Sequence, residues 1–528
     1  MSSTTDRPSV DPPGPDFRPA PGLLFIDGVR REAADGRRKD VVDPSTGRTV
    51  TTIASAGTDD VDAAVGSARS AFDTGTWATL PGRERSRILL EIARLIRERA
   101  GELAALESLD VGKPLLLARA IDVTATAEHY EYAAALAQGL QGAVRPTPLP
   151  VHAFTRREPL GVIAAVTPFN FPLLLSATKI APALAAGNAI VHKPAQDTSL
   201  SALLMAEIFQ DAGVPDGVVN VVTGSGALLG DHLVSHPGID KISFTGSVQV
   251  GARIARVAGA HLKPVTAELG GNCGHIVFAD VDLDRAVQDI TTGFLLNTGQ
   301  FCMAGARLLV ERPVHDEILQ ALGSAVPAVP VGDPRDPGTI VGPLAGEDRL
   351  DRVDRLVRET VRAGARVVTG AGRMDLDGGF YYRPTVLADV DCHAPAVREE
   401  VFGPVLTVQP FDDEPQALSL ANGTAFGLAA GVQTRDLDRA HRMAARLRAG
   451  TVWVNCWGQL DPAVPFGGMK HSGWGRECGP EVLDSCTTTK SVIMSVREDL
   501  PPALGPREAV ACPEPSAGRD TTGTGNGR

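Results

Sequence analysis

Hydrophobic positions first recur with helical spacing and then give way to short continuous apolar runs. The apolar face of residues 59–73 consists of Val61, Ala64, Val65, Ala68 and Phe72. Similar spacing predicts further helices over 83–99, 102–111 and 118–139. The run 161–166 is continuously apolar instead, which is typical of a parallel strand that is buried on both faces.

From that point strands and helices alternate through most of the chain. The first predicted strands are 161–166, 189–193, 218–222 and 241–245, and the helices between them are 177–185, 200–212 and 228–235. This order predicts an α/β fold with a doubly wound parallel sheet, a Rossmann-like layout that suggests a bound nucleotide. After Glu268 the alternation restarts and predicts a second α/β domain. Its predicted strands are 307–310, 366–368, 402–408, 431–434 and 451–455.

Length, charge and cysteine content narrow the class of protein. A chain of 528 residues is too long for one hydrophobic core, and a net charge of −12 argues against nucleic-acid binding. Its seven cysteines are scattered without a CxxC pair, so we expect a reducing cytoplasm and no metal site. We also expect no signal peptide and no membrane span, and we expect the Pro- and Gly-rich tails at 1–20 and 501–528 to be disordered.

The candidate chemistry centres on Cys302, which follows the turn-forming residues 297–299. A reactive cysteine needs a donor-rich, partly accessible setting with a base nearby, and a packed core cysteine is the alternative. Glu268 lies between an apolar run and a glycine pair, where desolvation suits the pKa of a carboxyl to general-base work. Asn170 lies in a stiff aromatic–proline loop and is a candidate oxyanion donor. The alternative for Glu268 is a solvated carboxylate in a turn. The alternative for Asn170 is a side chain that hydrogen-bonds to the backbone of its own turn.

Two glycine-containing turns follow predicted strands. In 244–251 a strand ends and a helix begins, and Gly246, Ser247 and Gly251 suit the binding of a phosphate by backbone N–H groups. In 224–230 the spacing is GxGxxxG, one residue longer than the dinucleotide fingerprint, and no acidic residue closes a following strand at the expected place. We interpret this second segment as a strand–helix turn.

Together these segments resemble the NAD(P)-dependent aldehyde dehydrogenases, from about residue 23 to residue 497. The motifs that carry the resemblance are 167–172, 192–195, 244–247, 268–272, 299–302, 399–404, 465–468 and 472–477. The resemblance implies that Cys302 attacks the aldehyde, that Asn170 stabilises the oxyanion, and that Glu268 activates the water that hydrolyses the thioester. Lys179 and Glu477 match positions associated with positioning and proton relay behind Glu268.

The resemblance also implies a cofactor site, with Lys193 at the adenosine ribose and Glu400 at the nicotinamide ribose. The full predicted set is Thr167, Pro168, Phe169, Lys193, Gln196, Gly226, Gly246, Ser247, Gly251, Leu269, Glu400 and Phe402. Members that prefer NAD commonly have a Glu where this chain has Gln196. Because a neutral amide repels the 2′-phosphate of NADP less than a carboxylate does, we predict NAD as the main cofactor with some tolerance of NADP.

The predicted substrate pocket is apolar and contains no Arg or Lys. The resemblance implies that the pocket is lined by Leu174, Leu175, Thr178, Phe301, Met303, Trp457, Leu460 and Phe466, and for each of them plain core packing is the alternative. This lining favours uncharged aliphatic or aromatic aldehydes over semialdehyde acids. Trp457 leaves betaine aldehyde open through a cation–π contact. Members of the family that pass the acyl group to coenzyme A typically lack the base at this position, so the resemblance and the presence of Glu268 together imply a free acid product.

The resemblance implies three parts between the tails. We assign 21–139 and 159–269 to a cofactor-binding domain, 270–485 to a catalytic domain, and 140–158 with 486–500 to a small β element for oligomerisation. We therefore expect a cytoplasmic homodimer or homotetramer. A catalytically silent structural member and a thioester-forming acyltransferase without redox chemistry are the alternatives from other classes, and the intact site motifs argue against both.

Overall fold

The computed structural model describes residues 17–496, so nearly all of the two predicted tails lies outside the described residues. The strands are β1 (Leu24–Ile26), β2 (Val29–Arg31), β3 (Arg38–Asp43), β4 (Arg48–Ala54), β5 (Val151–Pro159), β6 (Val162–Val166), β7 (Ala189–Lys193), β8 (Val219–Val221), β9 (Lys241–Thr245), β10 (Val265–Glu268), β11 (Gly274–Val277), β12 (Arg307–Glu311), β13 (Arg366–Thr369), β14 (Arg373–Met374), β15 (Tyr381–Tyr382), β16 (Thr385–Ala388), β17 (Val405–Phe411), β18 (Ala429–Gln433), β19 (Thr451–Val454), β20 (Gly473–Trp474) and β21 (Thr487–Ser495). The helices are α1 (Thr58–Asp73), α2 (Gly82–Glu98), α3 (Ala100–Val111), α4 (Leu115–Leu117), α5 (Thr124–Gln138), α6 (Pro172–Ala186), α7 (Leu200–Asp211), α8 (Gly226–Ser235), α9 (Val248–Ala260), α10 (Leu283–Leu295), α11 (Arg312–Ala325), α12 (Glu347–Arg362), α13 (Pro395–Arg398), α14 (Glu414–Asn422), α15 (Leu437–Arg446) and α16 (Val482–Cys486).

The first large sheet has the strand order β2-β1-β8-β7-β6-β9-β10-β20. Strands β6 to β10 are parallel, which confirms the predicted doubly wound sheet. Along β6, Val162 and Ala164 pack into one buried cluster and Ile163 and Ala165 into another, so the strand is covered on both faces. The strand order reverses between β6 and β9, and the loops that follow these two strands diverge there and leave a crevice for a ligand.

The second large sheet has the order β13-β16-β17-β12-β11-β18-β19, and all of its pairs except β13–β16 are parallel. A second, mostly parallel sheet is therefore present where the second strand–helix alternation was predicted, and the division of the chain into two large domains stays a prediction. Strand β11 has no counterpart in the prediction, and the strand predicted from residue 402 begins only at Val405 because Phe402 has a left-handed backbone with φ of 59°.

The chain returns from the second sheet to the first near its end. Ala267 and Glu268 pair with Trp474 and Gly473, so β20 is an antiparallel edge strand beside β10. The hydrophobic pattern gave no sign of this pairing, because β20 contains two residues only. A segment that we assigned to the catalytic domain therefore completes the first sheet next to Glu268.

Two helices differ from their predicted bounds. Helix α6 begins at Pro172, five residues before the predicted start, because Pro suits the first helical turn, where its missing N–H costs nothing. The helix predicted over 118–139 opens instead with a π-helical turn, Ala118–Val123, before α5. This turn shifts the register of the helix and carries Asp122, which is fully buried.

Among the described residues, Gly142–Arg156 and 489–496 form a second compact unit, in which the two-stranded sheet of β5 and β21 is the main element. Several of its apolar side chains are exposed: Val144, Leu149, Ile493, Met494 and Val496. The oligomerisation role of this unit stays a prediction. Within residues 17–496, no helix has the length and apolar character needed to cross a membrane.

Candidate active site

The turn before Cys302 has an unusual backbone. Asn297, Thr298 and Gly299 all have positive φ angles, of 50°, 57° and 70°. A β-branched residue rarely adopts this conformation, so the surrounding contacts must hold it. Thr298 Oγ1 donates to the carbonyl oxygen of Gly342 at 3.1 Å. A Cβ at position 299 would lie 2.1 Å from the carbonyl oxygen of Gly403, so only glycine fits there.

Cys302 itself lies in a tight turn, in which the Ala304 N–H donates to the carbonyl oxygen of Phe301 at 2.8 Å. The residue is partly exposed, and within residues 17–496 its N–H donates to no backbone carbonyl oxygen. The backbone of Gly271 packs against the turn so closely that a Cβ there would lie 2.0 Å from the Cys302 carbonyl oxygen. Burial, followed by the nearby Glu400 carboxylate, raises the pKa of the Cys302 thiol well above its ordinary value. The resting residue is therefore a thiol that needs a base.

Asn170 is buried and shares a small network with the same turn. Its Nδ2 donates to the carbonyl oxygen of Gln300 at 3.0 Å, and its own carbonyl oxygen accepts from Asn297 Nδ2 at 2.9 Å. An amide nitrogen has two N–H groups, so one of them is not used by this bond. The Asn170 side chain is thus fixed beside the Cys302 turn with a second donor available.

Glu268 ends β10 and is buried. Neither of its carboxylate oxygens has a hydrogen-bond partner among residues 17–496. Burial, and after it the charge of Glu477, raise the pKa of Glu268 well above its ordinary value. The negative charge of Glu268 is also among the causes that raise the pKa of Cys302. A buried carboxyl without partners and with a raised pKa is suited to take a proton.

Lys179 and Glu477 form a buried ion pair close to Glu268. Lys179 Nζ contacts Glu477 Oε1 and donates to Thr245 Oγ1 at 2.6 Å. Thr178 Oγ1 donates to the other Glu477 oxygen at 2.8 Å. The structure therefore brings together the five residues predicted as catalytic, Cys302, Glu268, Asn170, Lys179 and Glu477.

The predicted cofactor residues follow the strands at the crevice. Ser247 precedes α9 and its Oγ accepts from the Val250 N–H at 3.3 Å, and Gly246 opens the turn before it. Gly251 packs directly on Leu269, since a Cβ there would lie 2.4 Å from Leu269 Cδ2. Gly226 is the first residue of α8 and lies near the ammonium group of Lys193.

Lys193 is buried at the end of β7, and its Nζ donates to the carbonyl oxygen of Pro194 at 2.9 Å. Burial lowers the pKa of Lys193 to about 8. Thr167 is oriented by a 3.0 Å hydrogen bond between its Oγ1 and His192 Nε2. Gln196 is half-buried and follows this strand, with Asp197 beside it.

The remaining predicted cofactor residues are Glu400, which was predicted at the nicotinamide ribose, and the two phenylalanines Phe169 and Phe402. Glu400 Oε1 accepts from the Gly271 N–H at 2.9 Å, and burial raises the pKa of Glu400 to about 8. The rings of Phe169, which follows Pro168, and Phe402 meet edge to face at 5.7 Å. A buried ammonium, two helix N-termini and a buried carboxylate are the groups that the ribose hydroxyls and diphosphate of a dinucleotide need, so the residues present fit NAD(P).

Most of the predicted substrate pocket is found around Cys302. One cluster contains Leu174, Leu175, Phe301, Met303, Trp457 and Phe466 together with Cys302. Thr178 borders it, with its hydroxyl used by Glu477, whereas Leu460 is 52% exposed and lies outside this cluster. The cluster also contains Ile121, Leu296 and Cys456, which we did not predict.

Trp457 is held by one hydrogen bond and two aromatic contacts. Its Nε1 donates to the Met303 carbonyl oxygen at 3.2 Å, and one face of its ring stacks on His275 with centroids 4.5 Å apart. Its ring also meets Trp453 at 5.2 Å. One face of the Trp457 ring is therefore covered by His275.

Comparison with known proteins agrees with this geometry. The chain matches the sequence profile of the aldehyde dehydrogenase family over residues 31–492. An aldehyde dehydrogenase from Bacillus cereus, solved as an NAD+ complex, is 40% identical and superimposes with a TM-score of 0.89 over 90% of this chain and 96% of that chain. An NAD-dependent aldehyde dehydrogenase from Sinorhizobium meliloti is 38% identical, with a TM-score of 0.89 over 91% and 96% of the two chains.

Betaine aldehyde dehydrogenase from Staphylococcus aureus in complex with NAD+ is also similar, at 34% identity and a TM-score of 0.89 over 90% of this chain and 95% of that chain. The profile match covers far more than half of the sequence, and the site motifs lie within it. The chain therefore belongs to the aldehyde dehydrogenase family and is an NAD(P)-dependent enzyme that acts on aldehydes.

Proposed function

We propose that this enzyme oxidises an uncharged aliphatic or aromatic aldehyde to the free carboxylic acid. The observation that carries the proposal is the Glu268 carboxylate, which is buried, has no hydrogen-bond partner among residues 17–496, and acts electrostatically on Cys302. A base in this position serves a hydrolytic step, because water must lose a proton as it attacks the thioester.

The first step is attack by Cys302. The partly exposed Cys302 thiol gives its proton to water, and the thiolate sulfur forms a bond to the aldehyde carbon to give a thiohemiacetal anion. The free N–H of Asn170 and the N–H of Cys302 donate to the new oxyanion, at a site where both donors are already oriented by the protein. NAD(P)+, held by Lys193, Glu400 and the N-termini of α8 and α9, would supply the hydride acceptor; loss of hydride from the thiohemiacetal carbon would leave a thioester on Cys302.

The second step is hydrolysis of that thioester. Glu268 takes a proton from water, and the resulting hydroxide attacks the acyl carbon and releases the acid and the Cys302 thiolate. The buried ion pair of Lys179 and Glu477 places two charged groups close to Glu268. The positive charge of Lys179 partly offsets the rise in the pKa of Glu268. We assign the pair to positioning Glu268 and to carrying its proton away.

The substrate class rests on the lining of the pocket. The apolar cluster around Cys302 would bind an aliphatic or aromatic tail by burial of apolar surface. Betaine aldehyde is the second candidate, since a betaine aldehyde dehydrogenase is among the similar proteins. The contacts of Trp457 with His275 and Trp453 leave less of its ring for a quaternary ammonium group, so we favour the uncharged substrates.

We propose NAD as the main cofactor with some use of NADP. The carboxylate next to Gln196 is Asp197, which is paired with Lys39 at 2.7 Å and with Arg349 at 3.3 Å. Burial favours its neutral form, but these two partners outweigh burial and hold the pKa of Asp197 below its ordinary value. Because both cations offset this carboxylate, it repels a 2′-phosphate less, which supports some use of NADP. The similar proteins that were solved as NAD+ complexes support NAD as the main cofactor.

The exposed apolar residues of the β5–β21 unit support assembly into a dimer or tetramer. The cysteines are scattered and the six described ones are free, from which we infer a cytoplasmic enzyme.

The test of the proposed function is formation of reduced cofactor with a panel of aliphatic, aromatic, quaternary-ammonium and carboxylate-bearing aldehydes. We expect the highest kcat/KM among the uncharged ones, and turnover should vanish in Cys302→Ala. A preference for the charged members would contradict the substrate class, and turnover in Cys302→Ala would contradict the nucleophile.

A further inference from the structure

Three ionisable side chains that the reaction does not use lie fully buried under the Asn170 loop. Lys113 Nζ is 2.5 Å from Asp122 Oδ1 and 3.6 Å from Glu107 Oε2, and the exposed fraction of all three side chains is 0%. Burial of a charged side chain costs free energy of folding. A protein in which apolar residues of the same volume replace a buried ion pair is often equally stable. A purely apolar core would therefore serve the fold equally well, and the cluster calls for another explanation.

The ammonium group of Lys113 also contacts an aromatic ring that belongs to the site. Its Nζ lies 4.0 Å from the centroid of the Phe171 ring. Cation–π attraction is strongest where water is excluded, as it is here. Phe171 directly follows Asn170 in the chain, and its ring packs against Phe301, the residue before Cys302, at 5.7 Å.

The same cluster holds the helix that follows the loop. Glu107 Oε1 accepts from the Leu173 N–H at 3.1 Å and from Ser201 Oγ at 2.6 Å, so this carboxyl satisfies a free donor at the start of α6. Asp122 reaches Lys113 from the π-helical turn Ala118–Val123, a local change of register of the kind often found near functional sites. The Asn170 loop is therefore fixed at its ring by Lys113 and at its exit by Glu107.

We propose that Lys113 is a positioning residue for the oxyanion donor. Through the Phe171 ring it holds the backbone of Asn170 so that the free amide N–H points at the oxygen of the thiohemiacetal. Asp122 orients the ammonium group, and the contact between Phe171 and Phe301 links the loop to the nucleophile turn. This inference rests on the proposed roles of Asn170 and Cys302.

The experiment compares Lys113→Met in two backgrounds, wild type and Asn170→Ala, by the single-turnover rate of reduced-cofactor formation. If Lys113 acts through Asn170, the substitution should slow hydride transfer about tenfold in the wild-type background and less than twofold in Asn170→Ala, because misplacement of a donor matters only while the donor is present. An equal factor in both backgrounds, or none in either, would show that Lys113 serves the fold alone and would overturn the proposal.

A second variant covers the case in which Lys113→Met does not fold. Phe171→Leu leaves the buried charges intact and removes only the aromatic ring, and the same dependence on Asn170 is expected of it; additive effects would overturn the proposal. The matched control is Lys263→Met, which removes a half-buried lysine that bonds the Val234 and His236 carbonyl oxygens away from the loop, and should leave the hydride-transfer rate unchanged. If Asn170→Ala is itself as fast as wild type, the oxyanion role fails first, which separates failure of the proposed function from failure of this inference.

Discussion

Replacement of Gly271 by Ala should separate the nucleophile turn from the strand connection that supports it. A Cβ at this position would lie 2.0 Å from the Cys302 carbonyl oxygen. A carbon and a carbonyl oxygen rest at about 3.3 Å, so the two segments must move apart by about 1.3 Å. The atom in the way belongs to the backbone, so no side-chain rotation relieves the contact. The φ of Gly271 is not positive, and the expected effect is therefore steric and not conformational.

A displacement of about 1 Å at a reacting group costs about 10²-fold in rate, which corresponds to about 2.7 kcal/mol of transition-state stabilisation. We therefore expect kcat of Gly271→Ala to fall about 100-fold, with the loss already visible in the pre-steady-state formation of reduced cofactor. The assay is stopped-flow absorbance with the best aldehyde of the panel, alongside titration of NAD binding by quenching of tryptophan fluorescence.

The matched control is Gly259→Ala in α9, where a Cβ meets nothing within 4 Å. Alanine favours a helix over glycine by about 1 kcal/mol, so this variant should be slightly more stable and fully active. A Gly271→Ala enzyme with turnover within twofold of wild type would refute the argument that this contact sets the place of Cys302. A loss confined to NAD affinity would refute it as well, because the disturbance would then act through the bond from Gly271 to Glu400.

Three further predictions follow from the geometry. Glu268→Gln should keep a fast burst of reduced cofactor and lower steady-state turnover by about 10²–10⁴-fold, since the general base serves hydrolysis, and absence of a burst would move its role to an earlier step. Gln196→Glu should lower kcat/KM for NADP more than for NAD, and an unchanged ratio would show that this position does not contact the ribose region. Glu400 has a pKa of about 8 in the folded chain against an ordinary 4.5, so the folded state holds a proton that the unfolded state loses. The free energy of unfolding should therefore fall as pH rises from 4.5 to 8, and in urea titrations Glu400→Gln should show a smaller fall than wild type across this window.

The parallel strands were the most predictable part of the fold. The run 161–166 is apolar on both faces because both faces of β6 are covered, and a parallel strand leaves this trace in its sequence. The short strand β20 leaves none, because two residues carry no period and their pairing with β10 spans about 200 residues of sequence.

The sequence predicted the polar residues of the site, but it did not predict the residues that hold them in place. Cys302, Glu268 and Asn170 lie in segments of unusual composition, and the resemblance implied the role of each in the reaction. The positive φ of Thr298 could not be foreseen, since tertiary contacts impose this conformation against the preference of a β-branched residue. The role of Lys113 could not be predicted for a similar reason. Lys113 lies in a helix-rich segment, and its contact with Phe171 forms only when α3 and α6 lie close together in the fold.

The pairing of β20 with β10 also bears on how the protein is made. Until Gly473 leaves the ribosome, β10 is the uncovered edge of a sheet whose other strands are complete, and an uncovered edge invites pairing with another chain. About 200 residues separate the two strands, which at 5–20 residues per second corresponds to about 10–40 s of synthesis. Nascent chains therefore spend this time with the base of their future site on an open edge, and chains truncated before Gly473 should sediment as aggregates where full-length chains stay dispersed. An early stop in this gene would release an N-terminal fragment that exposes the strand next to Glu268 and lacks the partner that shields it.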